Sequence, residues 1–133
     1  MPKILIVDDE APIRTLLRSA LPNTGFTVFE ADCGRRALDV AAQDGPFELV
    51  VADVLMPGLD GFDLAGQLQR SGLAERFLFM SGYYDPEIIT DRLLQFPSSA
   101  FLSKPFPLPE FLGVLRRVLP GYGNASTAVR RSA

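Results

Sequence analysis

Five short apolar runs punctuate the chain, each closing on polar or turn residues. They are Ile4-Leu5-Ile6-Val7, Thr27-Val28-Phe29, Leu49-Val50-Val51-Ala52, Phe77-Leu78-Phe79-Met80 and Ala100-Phe101-Leu102. The three four-residue runs are apolar without alternation, which suits strands buried on both faces of a parallel sheet. Helical spacing fills the gaps. Ile13, Leu16, Leu17, Ala20 and Leu21 form one stripe, with Pro12 in its first turn and Pro22 and Gly25 at its end. Ala37, Leu38 and Ala41 mark a second helix, stopped by Gly45-Pro46. Phe62, Ala65 and Leu68 mark a third, stopped by Gly72. Ile88, Ile89, Arg92, Leu93 and Phe96 mark a fourth, opened by Pro86 and stopped by Pro97. Leu108, Phe111, Leu112, Leu115 and Leu119 mark a fifth, ending at Pro120-Gly121. Strands alternating with helices predict an α/β fold, a doubly wound parallel sheet with helices on both faces.

This pattern occupies residues 1–119 of a 133-residue chain and predicts one domain. Residues 120–133 carry no apolar period and read as a flexible C-terminal tail or a truncated linker. No output domain is expected after Leu119. The net charge is −3, so no basic footprint for nucleic acid is present. No apolar run approaches the ~20 residues that span a bilayer, so no membrane insertion is expected. A single cysteine, Cys33, fits a reducing cytoplasm. Histidine is absent, which removes Ser-His-Asp catalysis, Cys-His catalysis and histidine metal sites. Proton or phosphoryl chemistry must use carboxylates, lysine or hydroxyls.

Sites in open α/β sheets form outside the carboxyl ends of the strands. There the first strand ends in Asp8-Asp9, the third in Asp53, the fourth in Ser81-Gly82 and the fifth in Ser103-Lys104-Pro105. Three aspartates against one lysine leave an excess of negative charge that calls for a cation. Oxygen ligands without histidine or thiolate favour Mg2+ over zinc or copper. An ionised aspartate is a competent nucleophile for phosphoryl transfer and needs no general base at neutral pH. Magnesium, Lys104 and the Ser81 hydroxyl would then stabilise the transferring group. Read singly, Asp8 and Asp9 also suit the cap of the first helix, Asp53 a solvated loop acid and Lys104 a surface lysine. Their coincidence on one rim favours the chemical reading.

The segments Lys3-Ile-Leu-Ile-Val-Asp8-Asp9-Glu10, Val51-Ala-Asp53-Val-Leu-Met56-Pro57-Gly58-Leu-Asp60-Gly61, Phe79-Met-Ser81-Gly82 and Phe101-Leu-Ser-Lys104-Pro105-Phe106 resemble the receiver domain of two-component response regulators. The likeness covers residues 3–119. It implies a flavodoxin-like five-stranded sheet of order 2-1-3-4-5 with five flanking helices. It also implies that Asp53 accepts the phosphoryl group and that Asp8, Asp9, Asp53 and the carbonyl of Leu55 hold Mg2+. Lys104 would pair with Asp53 and contact the phosphoryl group, across a cis Lys104-Pro105 peptide. Ser81 and Phe101 stand at the switch positions, Phe101 where the family often has tyrosine. A sensor histidine kinase or histidine phosphotransfer domain would be the donor, docking around Ile13, Arg14, Leu17 and Phe106. The face of the fourth helix, fifth strand and fifth helix would switch and could pair in a homodimer. Leu55 and Tyr83 would flank the water path that sets the phosphoryl lifetime. The wording Phe-Met-Ser-Gly-Tyr is similar to receivers fused to hybrid sensor kinases.

Two other classes compete. A pseudo-receiver would use the same fold as a protein-interaction module without phosphorylation. A flavodoxin-like or haloacid-dehalogenase-like catalyst would need a phosphate-binding loop or a second acid two residues past Asp53, where Leu55 stands. The resemblance therefore implies a signalling module, not a turnover enzyme.

Overall fold

The computed structural model describes residues 2–21, 25–82 and 85–119. Pro22, Tyr83 and the 120–133 segment, all given readings above, lie outside the described residues, as does Tyr84.

The order of elements is β1 (Lys3–Val7), α1 (Ala11–Ser19), β2 (Thr27–Ala31), α2 (Gly34–Asp44), β3 (Leu49–Asp53), α3 (Gly61–Arg70), β4 (Phe77–Ser81), α4 (Pro86–Leu93), β5 (Ala100–Ser103) and α5 (Leu108–Val118). All strand pairs are parallel, and the sheet runs β2-β1-β3-β4-β5. The doubly wound α/β fold of order 2-1-3-4-5 is therefore the one the sequence pattern and the resemblance implied.

Burial explains the continuous apolar runs. β3 and β4 are buried at every position, because helices cover both of their faces. Alternate side chains feed two cores. Leu5, Val7, Val50, Ala52, Phe77 and Phe79 pack against residues of α2, α3 and α4. Ile4, Ile6, Val51, Leu78 and Met80 pack against Leu17 of α1 and Phe111, Val114 and Leu115 of α5. A phenylalanine cluster anchors the first layer. Phe62 of α3 lies 4.5 Å from Phe79, and Phe96 lies 5.3 Å from Phe77 and 5.5 Å from Phe79, centroid to centroid. Such rings bury large apolar areas and prefer tilted contacts at these separations.

All five strands run further than their apolar cores suggested, β1 by starting at Lys3 and β5 by ending at Ser103. β2 continues through Glu30 to Ala31, since an edge strand tolerates an acid on its open border. β3 and β4 take in Asp53 and Ser81, so both chemical groups stand on regular backbone. Three helices are shorter than their stripes, α5 by Leu119 alone. α1 ends at Ser19, and Leu21 is buried beyond its end. α4 ends at Leu93, after which tighter i→i+3 bonds from Gln95 and Phe96 turn the chain and carry Phe96 into the core. Leu16 and Ile88, which belonged to the apolar stripes, are exposed by 37% and 58%, because at each pair of adjacent apolar residues only the second faces the sheet.

Side chains cap three helices. Asp60 accepts from the Asp63 amide at 2.8 Å, Asp85 from the Glu87 amide at 2.9 Å, and Cys33 Sγ from the Arg36 amide at 3.5 Å. Cys33 therefore has a definite local task. The N-cap of α1 is Glu10, which makes no side-chain cap bond. Asp8 and Asp9 therefore do not cap α1, and the alternative reading of that pair falls away.

Candidate functional site

The carboxyl ends of β1, β3, β4 and β5 meet on one rim. Parallel register continues past the strand ends. The Val54 amide donates to the Met80 carbonyl, and the Lys104 amide to the Ser81 carbonyl, both at 2.8 Å. These bonds bring the residues after β3 and β5 over the same patch. Lys104 Nζ donates to Asp8 Oδ2 at 2.8 Å, to Asp53 Oδ2 at 3.1 Å and to Glu10 Oε1 at 3.3 Å. An ammonium has three donors, and all three are used. Asp8 and Ser81 are fully buried, Asp53 is 5% exposed, and Asp9 and Glu10 face solvent. The Lys104-Pro105 peptide is cis, as the resemblance implied, and so is Gly45-Pro46.

Backbone donors hold the two buried acids. Asp53 Oδ1 accepts from the Leu55 amide at 3.1 Å, and Asp8 Oδ1 from the Glu10 amide at 2.8 Å. The turn between Asp53 and α3 closes with the Gly61 amide donating to the Val54 carbonyl at 3.1 Å. Gly61 is required there for space. A Cβ would stand 2.4 Å from the Asp53 carbonyl oxygen and 3.0 Å from its carbonyl carbon. Both obstacles are backbone, so relief means moving the chain that carries Asp53. Gly61→Ala is expected to cost about 2–3 kcal/mol in denaturant unfolding, the cost of forcing atoms into a packed site. An unchanged midpoint would show that the turn yields without cost.

The electrostatics are those of an acid cluster with too little positive charge. One ligand atom from each of Asp8, Asp9, Glu10 and Asp53 lies within 4.8 Å of the others. Four carboxylates face one ammonium. Burial pushes the Asp53 pKa above the ordinary 3.8 and outweighs the hydrogen bond and charge of Lys104, while the Asp8 charge adds to the rise. At Lys104, burial works against the charged form, but the hydrogen bonds and charges of Asp8 and Asp53 prevail and push its pKa above 10.5. The lysine is thus firmly cationic, and the acids remain under-compensated. An all-oxygen donor set with surplus negative charge fits a hard dication such as Mg2+.

The sequence-derived residues divide into groups. Asp8, Asp9, Asp53 and Lys104 come together as expected. Ser81 occupies the end of β4, beside Ser103 in register. Leu55 presents its amide to Asp53 while 54% of its surface is exposed. Phe101 is half-buried against the core layer of α2, α3 and α4. The expected docking group needs one correction. Leu17 is 0% exposed, because it points from α1 into the sheet, so its side chain is not available to a partner. Leu16 is the exposed neighbour. Ile13 and Phe106 are half-buried, and Phe106 stacks on Phe111 at 6.1 Å. Arg14 faces inward as well, with Nη1 donating to the Asp8 carbonyl at 2.7 Å and Nε to Glu30 at 3.3 Å. Glu10 was quoted within a motif but given no role. Its adjacency to two acids after a buried strand was the signal that it could join them.

The family profile of the response regulator receiver domain matches residues 4–116. Over 132 residues the chain is 36% identical to the response regulator MprA of Mycolicibacterium vanbaalenii, covering 95% of this chain and 55% of that protein. It is 35% identical to a putative transcriptional regulator of Pseudomonas aeruginosa, covering 99% of this chain and 63% of that protein. The chain thus spans little more than half the length of these relatives. Its fold is similar to that of the chemotaxis protein CheY4 of Vibrio cholerae, at a TM-score of 0.79 and 30% identity, covering 90% of this chain and 99% of the other. It is also similar to the signal receiver domain of an HD domain-containing protein from Pseudomonas fluorescens, at a TM-score of 0.79 and 25% identity over 92% and 98% of the two chains. With its sheet order, its rim of acids and these likenesses in agreement, the chain belongs to the response regulator receiver domain family.

Proposed function

We propose that this receiver accepts a phosphoryl group on Asp53 from a phosphohistidine donor. The observation that carries the reading is the convergence of Asp8, Asp53 and Lys104, whose ammonium lies 2.8 and 3.1 Å from the two aspartates. In the transfer, an Asp53 carboxylate oxygen forms a bond to phosphorus. The phosphorus–nitrogen bond of the donor breaks, and its electron pair stays on the imidazole. Lys104 balances the charge that gathers on the phosphoryl oxygens, and the Ser81 hydroxyl donates to one of them. Asp8, Asp9 and Asp53, with the carbonyl of Leu55, would hold Mg2+. When bound, the dication supplies the positive charge the cluster lacks and shields the nucleophile from the incoming phosphate.

The new charge draws Ser81 and Lys104 inward and biases the α4-β5-α5 face between two states, with Phe101 as the aromatic member of the switch. The exposed Ile88 supports that face as a contact surface, for a target or for a second copy in a homodimer. The donor is a sensor histidine kinase or a histidine phosphotransfer domain, docking near α1 and the β5-α5 loop. Ile13, Arg14 and Phe106 remain candidates there. Residues 1–119 form the receiver, and 120–133 a tail or linker. The setting is the cytoplasm; among the described residues no helix is long and apolar enough to cross a membrane. Of the two relatives named above, one is named a response regulator and the other a putative transcriptional regulator; the hybrid-kinase wording at Phe79–Tyr83 has no counterpart in those names. The module acts on itself alone and turns over no free substrate.

The test is phosphorylation by a phosphohistidine donor, or by acetyl phosphate, with Mg2+. Acid-labile label on the wild type that vanishes with chelator supports the reading. No label from either donor would point to the pseudo-receiver.

The raised pKa of Asp53 gives a pH dependence. A carboxyl whose folded pKa is raised contributes stability that is full below its unfolded pKa and lost as pH rises through the folded value. The metal-free chain should therefore lose this contribution as pH rises from about 4. Mg2+ binds the carboxylate and competes with the proton, so its stabilisation should be small near pH 4 and grow toward pH 7. Melting curves with and without Mg2+ check this. A metal-induced shift that is the same at both ends would contradict it.

A further inference from the structure

We propose that Arg14 is a positioning residue for the acid site, bracing the Asp8-Asp9 peptide from behind so that both carboxylates are aimed for a cation. The inference rests on the metal-binding reading above and adds a residue to it. Arg14 lies on the second turn of α1, and its Nη1 reaches back to the Asp8 carbonyl at 2.7 Å. A guanidinium stays charged at every relevant pH, so this is a charge-assisted bond with planar geometry. The other edge of the group is tied down. Arg14 Nε meets Glu30 Oε1 at 3.3 Å, and the second oxygen of Glu30 meets Arg18 at 2.8 Å. Only 19% of the Arg14 side chain is exposed.

Glu30 joins two arginines, Arg18 at 2.8 Å and Arg14 at 3.3 Å. It sits in β2 opposite Ile6, on the face that packs α1 and α5, where an apolar residue would bury surface. An acid at that position is explained by the two arginines it holds, and through it the Arg14 guanidinium is tied to β2.

The grip on this peptide matters because of Asp9. Asp8 is fixed by its own carboxylate, through Lys104 and the Glu10 amide. No hydrogen bond or ion pair among the described residues holds the Asp9 carboxylate. Its direction follows from the backbone alone, and the plane of the peptide between Asp8 and Asp9 is what Arg14 grips. Supports of this kind, one bond behind the ligands, govern how well a metal site is organised before the ion arrives.

The experiment is calorimetric Mg2+ titration of the full chain as wild type, Arg14→Ala, Arg14→Lys and Glu30→Gln, with labelling of each by acetyl phosphate and by a phosphohistidine protein. Arg14→Ala is expected to weaken Mg2+ binding about 10-fold. Arg14→Lys should recover part of the loss, since lysine reaches the carbonyl but cannot bridge to Glu30. Glu30→Gln should fall between. Labelling should slow at low Mg2+ and recover at saturating Mg2+, because the nucleophile and Lys104 are untouched. Glu30→Gln carries the test if Arg14→Ala fails to fold. Wild-type affinity retained in both Arg14→Ala and Glu30→Gln would overturn the bracing role while leaving the site reading intact. So would a loss confined to labelling by a phosphohistidine protein, which would make Arg14 a docking contact. A wild type without Mg2+ affinity would remove the site reading itself and this inference with it.

Discussion

Asp53→Asn is expected to abolish acid-labile labelling and, in the same protein, to raise the melting temperature measured without Mg2+. The first effect is chemical. An amide oxygen lacks the charge to attack phosphorus, so labelling should fall by roughly three orders of magnitude or more. The second effect is electrostatic. Asp53 is 5% exposed and carries its charge beside Asp8, with burial the largest influence on its raised pKa. Asparagine keeps the shape and can still accept from the Leu55 amide, but it removes one of four crowded carboxylates. Relief of a poorly compensated buried charge is worth about 1 kcal/mol here, a rise of roughly 3–5 °C for a domain of this size. Mg2+ should then stabilise the variant much less than the wild type. Full labelling of Asp53→Asn would end the assignment of the acceptor. A melting temperature that falls would show that Lys104 compensates Asp53 more completely than the buried geometry indicates.

Lys104→Ala should act in the opposite direction on stability. The ammonium is the common partner of Asp8, Asp53 and Glu10, with 12% of its side chain exposed. Its folded pKa lies above the ordinary 10.5, so its contribution is complete at neutral pH and is lost only in strongly alkaline solution. Removing it leaves two buried acids facing each other. The loss should be about 2–3 kcal/mol without metal, at the low end for a broken buried pair because Asp9 and Glu10 border water. Mg2+ should restore most of it, since a dication supplies the missing charge. Phosphoryl transfer should not recover with it. The lysine also faces the transferring group, and labelling should stay about 100-fold down at saturating Mg2+. Chemical denaturation with and without the ion, paired with labelling rates, separates the two effects. A stability unchanged by the substitution would mean that the three ion pairs contribute nothing net.

Much of this site was legible in the chain. Asp8, Asp53 and Lys104 could be placed together because each follows an apolar run, and parallel winding sends the ends of such runs to one rim. Glu10 was in view but without a role, and Asp60-Gly61 reads from the sequence as turn chemistry alone. Nothing local distinguishes a glycine at a turn from one required by a carbonyl 2.4 Å away from its absent side chain. Leu16 and Leu17 illustrate the same limit. Both satisfy the helical period, but one is 37% exposed and the other fully buried, since the rotation of α1 on the sheet is set by packing.

The chain's own order of apolar runs, caps and prolines determined the element sequence, the sheet class and the identities of the reactive groups, because these depend on local periodicity and on which residue ends each strand. The tertiary structure decided what those groups do to one another. It buried Asp53 more deeply than Lys104 could offset, directed Arg14 inward to the Asp8 carbonyl, and paired Glu30 with it across the edge strand. Those outcomes depend on distances between residues tens of positions apart, and such distances exist only once the helices have settled on the sheet.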